Sequence, residues 1–378
     1  MNPALRIGAV GFGLIAVCYG FARFAFGLFL PQIDSDLRLG PSLSGLISGG
    51  AFVGYCVAII ASAALTERIG AHAIATAAAI IAAIGMAGIA LAPSSMVLAI
   101  AVMVAGLSTG LASPPMAAAV AAAVAKVRQD ATNTAINAGT SAGVALSGAV
   151  ALAMVGQWRL AFGAFAVVAV ALAISAAVSL PSSQGGKGAG RLPPMTGPVL
   201  RLIAASFLMG AASTALWSFG GQLVSERLGW GPTETGILWS CLGIGGIAGA
   251  WTGTLVNRFG LDCVHLACLG LMAGCIFAVG SSIATPALAL ISGALFGAAY
   301  VTLTGVYLIW GVRALSDRPA TGLMIGFLTM AVGQTAGAPV FGILMAGPGV
   351  ELAVMCFAII ALVAGFFRAR GATAVMSA

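Results

Sequence analysis

The chain has 378 residues, of which 61% are apolar and only 7% charged, and its formal net charge is +7. So little charge excludes a water-soluble domain, whose surface needs far more Lys, Arg, Asp and Glu. The basic residues are dispersed through short loops and form no stripe, so the positive charge does not point to nucleic acid. A mean hydropathy of +1.11 and 53 glycines instead suit a polytopic membrane protein whose helices approach closely.

Apolar runs broken by polar or Pro/Gly punctuation predict twelve spans: 8–31, 42–65, 72–92, 96–122, 133–155, 158–180, 197–222, 232–256, 263–282, 286–311, 320–345 and 349–367. The first run follows Arg6, is too long for a signal-peptide core and lacks a small-x-small cleavage site, so it reads as a retained span. It contains Tyr19-Gly20-Phe21-Ala22-Arg23-Phe24-Ala25-Phe26-Gly27. Arg23 is the one charged residue well inside any apolar run. An arginine at the centre of a membrane helix costs about 2.5–3.5 kcal/mol even on lenient scales. A water-filled cavity and an anionic ligand are the expected compensation. Snorkelling is awkward, because Pro31 lies eight residues on, roughly 12 Å along the helix, and helical side chains lean the other way, toward the N-terminus.

Tyr19 and Arg23 share a face at i, i+4, with Phe26 on the adjoining edge. Further along, Tyr55, Asn137, Trp217, Trp239 and Gln334 are polar-tipped groups inside spans, and Tyr300, Thr304 and Tyr307 form a stripe on the tenth. Together they are the candidate substrate-binding residues. Packing is the competing role for each aromatic. His72 and His265 fall at the inner ends of spans three and nine, where solvation is expected. The carboxylates fall in loops or at span ends, which leaves no mid-membrane acid for a proton relay. Glu234, in Gly231-Pro232-Thr233-Glu234, reads as a helix N-terminus with a dipole-favoured acid. Seven scattered cysteines suit neither a disulfide framework nor a zinc site, and no metal, cofactor or enzymatic chemistry is expected.

With the N-terminus cytoplasmic, twelve Lys and Arg fall in inside segments and three, Arg38, Arg159 and Arg227, outside. That bias supports twelve spans with both termini inside. Residues 181–196 are polar and rich in Gly and Pro, as a flexible linker is. They divide the chain into six-helix bundles over 1–180 and 197–378. The two halves also repeat one another. Gly40-Pro41-x3-Gly45 recurs as Gly231-Pro232-x3-Gly236, and Leu65-Thr66-Glu67-Arg68-Ile69-Gly70 as Leu255-Val256-Asn257-Arg258-Phe259-Gly260. Gly139-x3-Gly143-x4-Gly148 recurs as Gly333-x3-Gly337-x4-Gly342, and the three offsets are 191, 190 and 194 residues. These glycines are expected to mark close helix crossings. Parallel six-span repeats are a transporter architecture with its site at midplane between the halves.

These residues resemble the major facilitator superfamily. Its loop signature between spans two and three is matched by Ala63-Ala64-Leu65-Thr66-Glu67-Arg68-Ile69-Gly70. A second copy stands at Gly253-Thr254-Leu255-Val256-Asn257-Arg258-Phe259-Gly260. Glu67 replaces the usual aspartate, and Asn257 lacks the second carboxylate. The fourth-span arginine of many proton antiporters is Val102 here, and the fifth-span proline is Val144. The pattern from Arg23 to Pro31 is similar to a branch of predicted bacterial permeases. The resemblance implies an all-α membrane protein of twelve transmembrane helices in two pseudo-symmetric bundles. It also implies a gating role for Glu67, Arg68 and Arg258. The expected function is alternating-access transport of a small solute, an organic anion or carboxylate-bearing compound, by a monomer in the bacterial inner membrane. Efflux of drugs or amphipathic compounds is the alternative. A non-transporting receptor or scaffold with the same fold is the alternative of another class.

Overall fold

The computed structural model describes residues 3–180 and 195–369, so residues 181–194 of the expected linker lie outside the described residues. The described chain folds into twelve helical columns. Column α1 spans 3–37 and is built of Pro3–Ile15, a π-helical segment Ala16–Phe24, and Ala25–Leu37. It is followed by α2 (Gly40–Ile69), α3 (Ala71–Ala90), α4 (Ser95–Ala123), α5 (Lys126–Ala153) and α6 (Trp158–Ser179). Column α7 spans 197–228 as Gly197–Trp217 and Gly220–Leu228. Column α8 spans 232–259, with a 3₁₀ segment Ile247–Trp251 between two α-helical pieces. The last four are α9 (Leu261–Gly280), α10 (Pro286–Ala314), α11 (Pro319–Ala346) and α12 (Val350–Ala364). Ten columns hold a helix long and apolar enough to cross a membrane. The other two are the interrupted α8 and the 15-residue α12.

Column α1 outruns its expected end at residue 31, because Pro31 is accommodated inside the helix. Proline deprives the carbonyl four residues back of its partner. That carbonyl belongs to Gly27 and faces Gly221 of α7, where a side chain would come within 2.7 Å of it. A close Cα–H···O contact to a glycine suits such a freed carbonyl. At the start of α8, Glu234 Oε2 accepts the Gly231 N–H at 3.1 Å, as the helix-start reading requires.

The repeat in the sequence is a repeat in the packing. In the first half α1 packs on α5, α2 on α4, and α3 on both α4 and α6. Adding six to each number gives the pairs of the second half: α7 on α11, α8 on α10, and α9 on α10 and α12. Between the halves α2 meets α11 and α5 meets α8, and these two pairs are likewise related by six. The glycine triplets explain how. A Cβ on Gly139 or Gly143 would lie 2.3 and 2.2 Å from the Phe12 and Ala16 carbonyls of α1. On Gly333 and Gly337 it would lie 2.0 and 2.6 Å from those of Phe207 and Ala211 in α7. Small residues set these separations because lipid offers no hydrophobic drive between helices. The third glycine of each triplet works across the halves. Gly148 abuts Gly236 of α8, and Gly342 abuts the Pro41 carbonyl of α2.

Candidate functional site

The π-helical segment of α1 builds the centre of the molecule. All nine of its residues are buried, and the Ala25 N–H reaches back five residues to the Gly20 carbonyl. Such segments are rare and concentrate at functional sites. Two neighbours hold it. Thr109 Oγ1 donates to the Cys18 carbonyl at 2.8 Å. Gly20 presses against the backbone of Gly143, leaving no room for a Cβ.

Arg23 emerges from this segment with 6% of its surface exposed. Its guanidinium carbon lies 4.7 Å from the Tyr55 ring centroid, 4.8 Å from those of Phe24 and Phe52, and 5.7 Å from that of Tyr19. Each such contact is worth about 0.5–2 kcal/mol, so four rings offset much of the burial cost. All four belong to α1 and α2. The hydrogen bond comes from the opposite half, where Gln334 of α11 accepts from Arg23 Nη2 through Oε1. A guanidinium only donates, so the amide carbonyl must face it. The Gln334 Nε2 then donates to Ser213 Oγ and to the Tyr300 hydroxyl, both at 3.2 Å. Tyr19 pairs with Ser113 Oγ at 2.9 Å. Arg23 Nε is buried with no hydrogen-bond partner among the described residues.

Arg23 lines a cavity of about 300 Å³ between the halves. Its wall includes Tyr19, Tyr55 and Asn137 from the first half, and Tyr300, Thr304 and Gln334 from the second. The lining continues through Thr134, Gly253, Ile309 and Phe327, toward the face on which both described chain ends lie. The opposite face is sealed. There Gly45 meets the Ala338 carbonyl, Gly27 meets that of Trp217, and Gly342 meets that of Pro41, each too close for a side chain. Ser48 Oγ donates to Ser218 Oγ at 2.6 Å, and Gln222 Nε2 to Asp34 Oδ2 at 3.3 Å, both across the halves.

Four of the expected residues do not line this cavity. Phe26 is buried within the core, and Phe24 takes its place. In a π-helix the residue five after Tyr19, not seven, returns to the same face. Trp217 forms a second layer, stacked on Phe24 at 4.1 Å. Trp239 is buried against Gly220 of α7. Tyr307 turns from the stripe into the second half, where its hydroxyl donates to the Ala205 carbonyl at 3.2 Å. It thereby accepts from His265 Nε2 at 3.0 Å. His265 is 0% exposed, so the expected solvation is corrected. It sits beneath Tyr307 and Trp310, which pack edge-on against its ring. Tyr307→Phe removes the phenol oxygen and is expected to cost about 1–3 kcal/mol of stability. The melting temperature of the purified protein should fall while ligand affinity stays as in the wild type.

Among the proposed gate residues, Arg68 and Arg258 are exposed at the open face. The Arg258 guanidinium lies 5.3 Å over the Phe259 ring. The Glu67 side chain lies outside the described residues. The residues missed in the sequence are Phe24, Phe52, Ser113, Ser213 and the 3₁₀ stretch of α8. Phe52 and Tyr55, at i, i+3, could have signalled a second aromatic face.

Two repeated six-helix halves around a central cavity define a helical membrane transporter. The family model described as Major Facilitator Superfamily matches residues 12–332, and the chain belongs to that superfamily. It is a transporter and not an enzyme. Its fold is similar to that of a point mutant of the nucleoside transporter NupG, with a TM-score of 0.79 at 13% identity over 97% of this chain and 98% of that one. The xylose transporter XylE from E. coli, in a partially occluded inward open conformation, gives 0.78 at 13% over 97% and 98%. A bacterial homolog of the human lysosomal transporter Spinster, inward-facing and occupied, gives 0.75 at 14% over 96% and 95%. At these identities the likeness concerns the fold alone. No curated protein sequence matches the chain.

Proposed function

We propose that the protein is an alternating-access secondary transporter for a small organic anion, a carboxylate-bearing solute, in the bacterial inner membrane. The observation that carries this reading is the charge of the cavity wall: among the described residues Arg23 is its one charged lining residue, and no carboxylate lines it. A lone cation in a partly dehydrated cavity favours an anion from solution. Tyr19, Asn137, Tyr300 and Thr304 supply hydroxyl and amide groups to orient the rest of the solute. A volume near 300 Å³ is at the small end of ligand pockets. In this reading residues 1–180 and 197–378 are two bodies joined by the linker 181–196. Both termini are cytoplasmic, as the distribution of Lys and Arg implies, so the cavity opens inward. Glu67, Arg68 and Arg258 then close that face in the opposite state. A monomer suffices, because each chain carries a whole cavity.

A second reading rests on a separate observation. The Arg23 guanidinium is already engaged by Gln334 and four rings, which would leave an apolar, aromatic cavity suited to drugs or amphipathic compounds. A thermal-shift screen of the purified protein separates the two. Carboxylates, but not their neutral amides or lipophilic cations, are expected to raise the melting temperature. Stabilisation by lipophilic cations or neutral amphipaths alone would favour efflux instead. Absence of flux for every stabilising compound in liposomes would point to a scaffold.

A further inference from the structure

We propose that Gln334 is an internal surrogate ligand for Arg23, displaced by the carboxylate of the incoming solute. Its displacement unties α1 from α11. The inference deepens the anion reading and rests on it.

The geometry of the guanidinium carries the argument. Nε–H and Nη2–H lie along one edge of the planar group, the fork that receives both oxygens of a carboxylate. Gln334 Oε1 occupies only Nη2. Nε is buried and has no hydrogen-bond partner among the described residues. One prong of a bidentate fork therefore holds a neutral amide oxygen and the other has no partner among the described residues, on a side chain that lines the cavity. A neutral acceptor on one prong is the weaker ligand. The Arg23–Gln334 bond has only one charged partner. A carboxylate brings a full opposite charge and one oxygen for each prong, the bidentate pairing that adds both energy and geometric specificity, so it outcompetes the amide.

Gln334 is held for this role by its own half. It is 0% exposed, and both of its donated hydrogen bonds go to Ser213 of α7 and Tyr300 of α10. Those bonds fix the amide and aim its carbonyl across the interface. Arg23 is fixed as firmly from the other side, by rings of α1 and α2. The Arg23–Gln334 bond is thus a tie between halves at the depth of the cavity. A carboxylate that takes the fork replaces that tie with one that includes the solute, so binding alters how the halves are joined. A ligand shifts a conformational equilibrium only through such state-dependent contacts.

The test uses the full chain in detergent, with benzoate and succinate as probes and benzamide and succinamide as neutral controls. Each is titrated by thermal shift against wild type, Gln334→Ala, Gln334→Met, Gln334→Glu and Arg23→Ala. Removing the competitor should tighten carboxylate binding about three- to tenfold, as the loss of one net hydrogen bond predicts. Gln334→Met preserves side-chain bulk should the alanine variant fail to fold. Gln334→Glu places a tethered carboxylate on the fork and should weaken probe binding by at least about tenfold, as occupation by a charge-assisted pair predicts. The sign is the discriminating readout, because a merely structural glutamine would weaken binding when removed. Unchanged or weaker binding in both Gln334→Ala and Gln334→Met, with binding lost in Arg23→Ala, would overturn the surrogate role and leave the anion reading standing. Equal binding in Arg23→Ala and wild type, or no carboxylate binding to wild type, would overturn both.

Discussion

Arg23→Ala is expected to abolish uptake of a carboxylate by the reconstituted protein, with a loss of at least about a hundredfold. Removing one partner of a buried, hydrogen-bonded charge pair costs about 2–5 kcal/mol or more, and about 2.7 kcal/mol corresponds to a hundredfold in binding. The wall keeps its aromatic and hydroxyl groups but loses the one charge that the described residues give it. Arg23→Lys should retain only a minor part of the activity. A lysine ammonium is a point charge without a planar fork, and it stacks poorly between rings. A second measurement separates loss of chemistry from loss of fold. Truncation leaves Tyr19, Phe24, Phe52 and Tyr55 around an empty volume, and an aromatic cage of that kind accepts a cation. Guanidinium at tens of millimolar should restore part of the uptake in Arg23→Ala and none in Arg23→Phe, where the volume is filled. Wild-type uptake of an anionic substrate by Arg23→Ala would remove Arg23 from the binding role.

The twelve columns were legible because membrane helices leave a coarse signal, a run of apolar residues bounded by loops. The pseudo-symmetry was legible because packing without a hydrophobic drive depends on where the small residues stand. Gly139 and Gly143, with Gly333 and Gly337, repeat in the sequence and sit at equivalent crossings against α1 and α7. The site was only half legible. Arg23 and Gln334 stood out as polar groups in apolar runs, but nothing in one sequence says that residues 311 apart are bonded. The π-helical segment has no compositional mark. It lengthens the hydrogen-bond step of α1 from four residues to five and so widens each turn, which exchanges Phe26 for Phe24. Tyr307 was misplaced for a related reason. Its spacing from Tyr300 fits the cavity face, but its partners His265 and the Ala205 carbonyl lie on other columns, and those contacts decide where the ring goes. The break in α8 at Ile247–Trp251 follows a glycine-rich run, which permits such a break without requiring it.

The glycines also separate two kinds of contact that an alternating-access protein must keep distinct. A large side chain at Gly333 meets the Phe207 carbonyl at 2.0 Å, inside the second half, where α7 and α11 have nowhere to retreat. Gly333→Leu is expected to be destabilised by about 1–3 kcal/mol or more, the usual cost of overpacking, and to express poorly. At Gly342 the obstacle is the Pro41 carbonyl at 2.3 Å, across the halves on the sealed face. The same clash there can be relieved by separating the halves, which rocking of two rigid bundles allows. Gly342→Leu should therefore fold with a melting temperature near that of the wild type and favour the state open on the presently sealed face. Gly45→Leu, opposite the Ala338 carbonyl at 2.5 Å, should do the same. An introduced Ser48→Cys, on α2 where it pairs with Ser218, reports the change. Its labelling by a membrane-impermeant maleimide, above the background of the native cysteines, should rise several-fold in Gly342→Leu, while net uptake falls by about tenfold or more. A tenfold loss needs a bias of only about 1.4 kcal/mol, well within what one overpacked contact supplies. Were Gly342→Leu to lose its fold as Gly333→Leu does, the sealed face would be part of a fixed core and not a surface that parts.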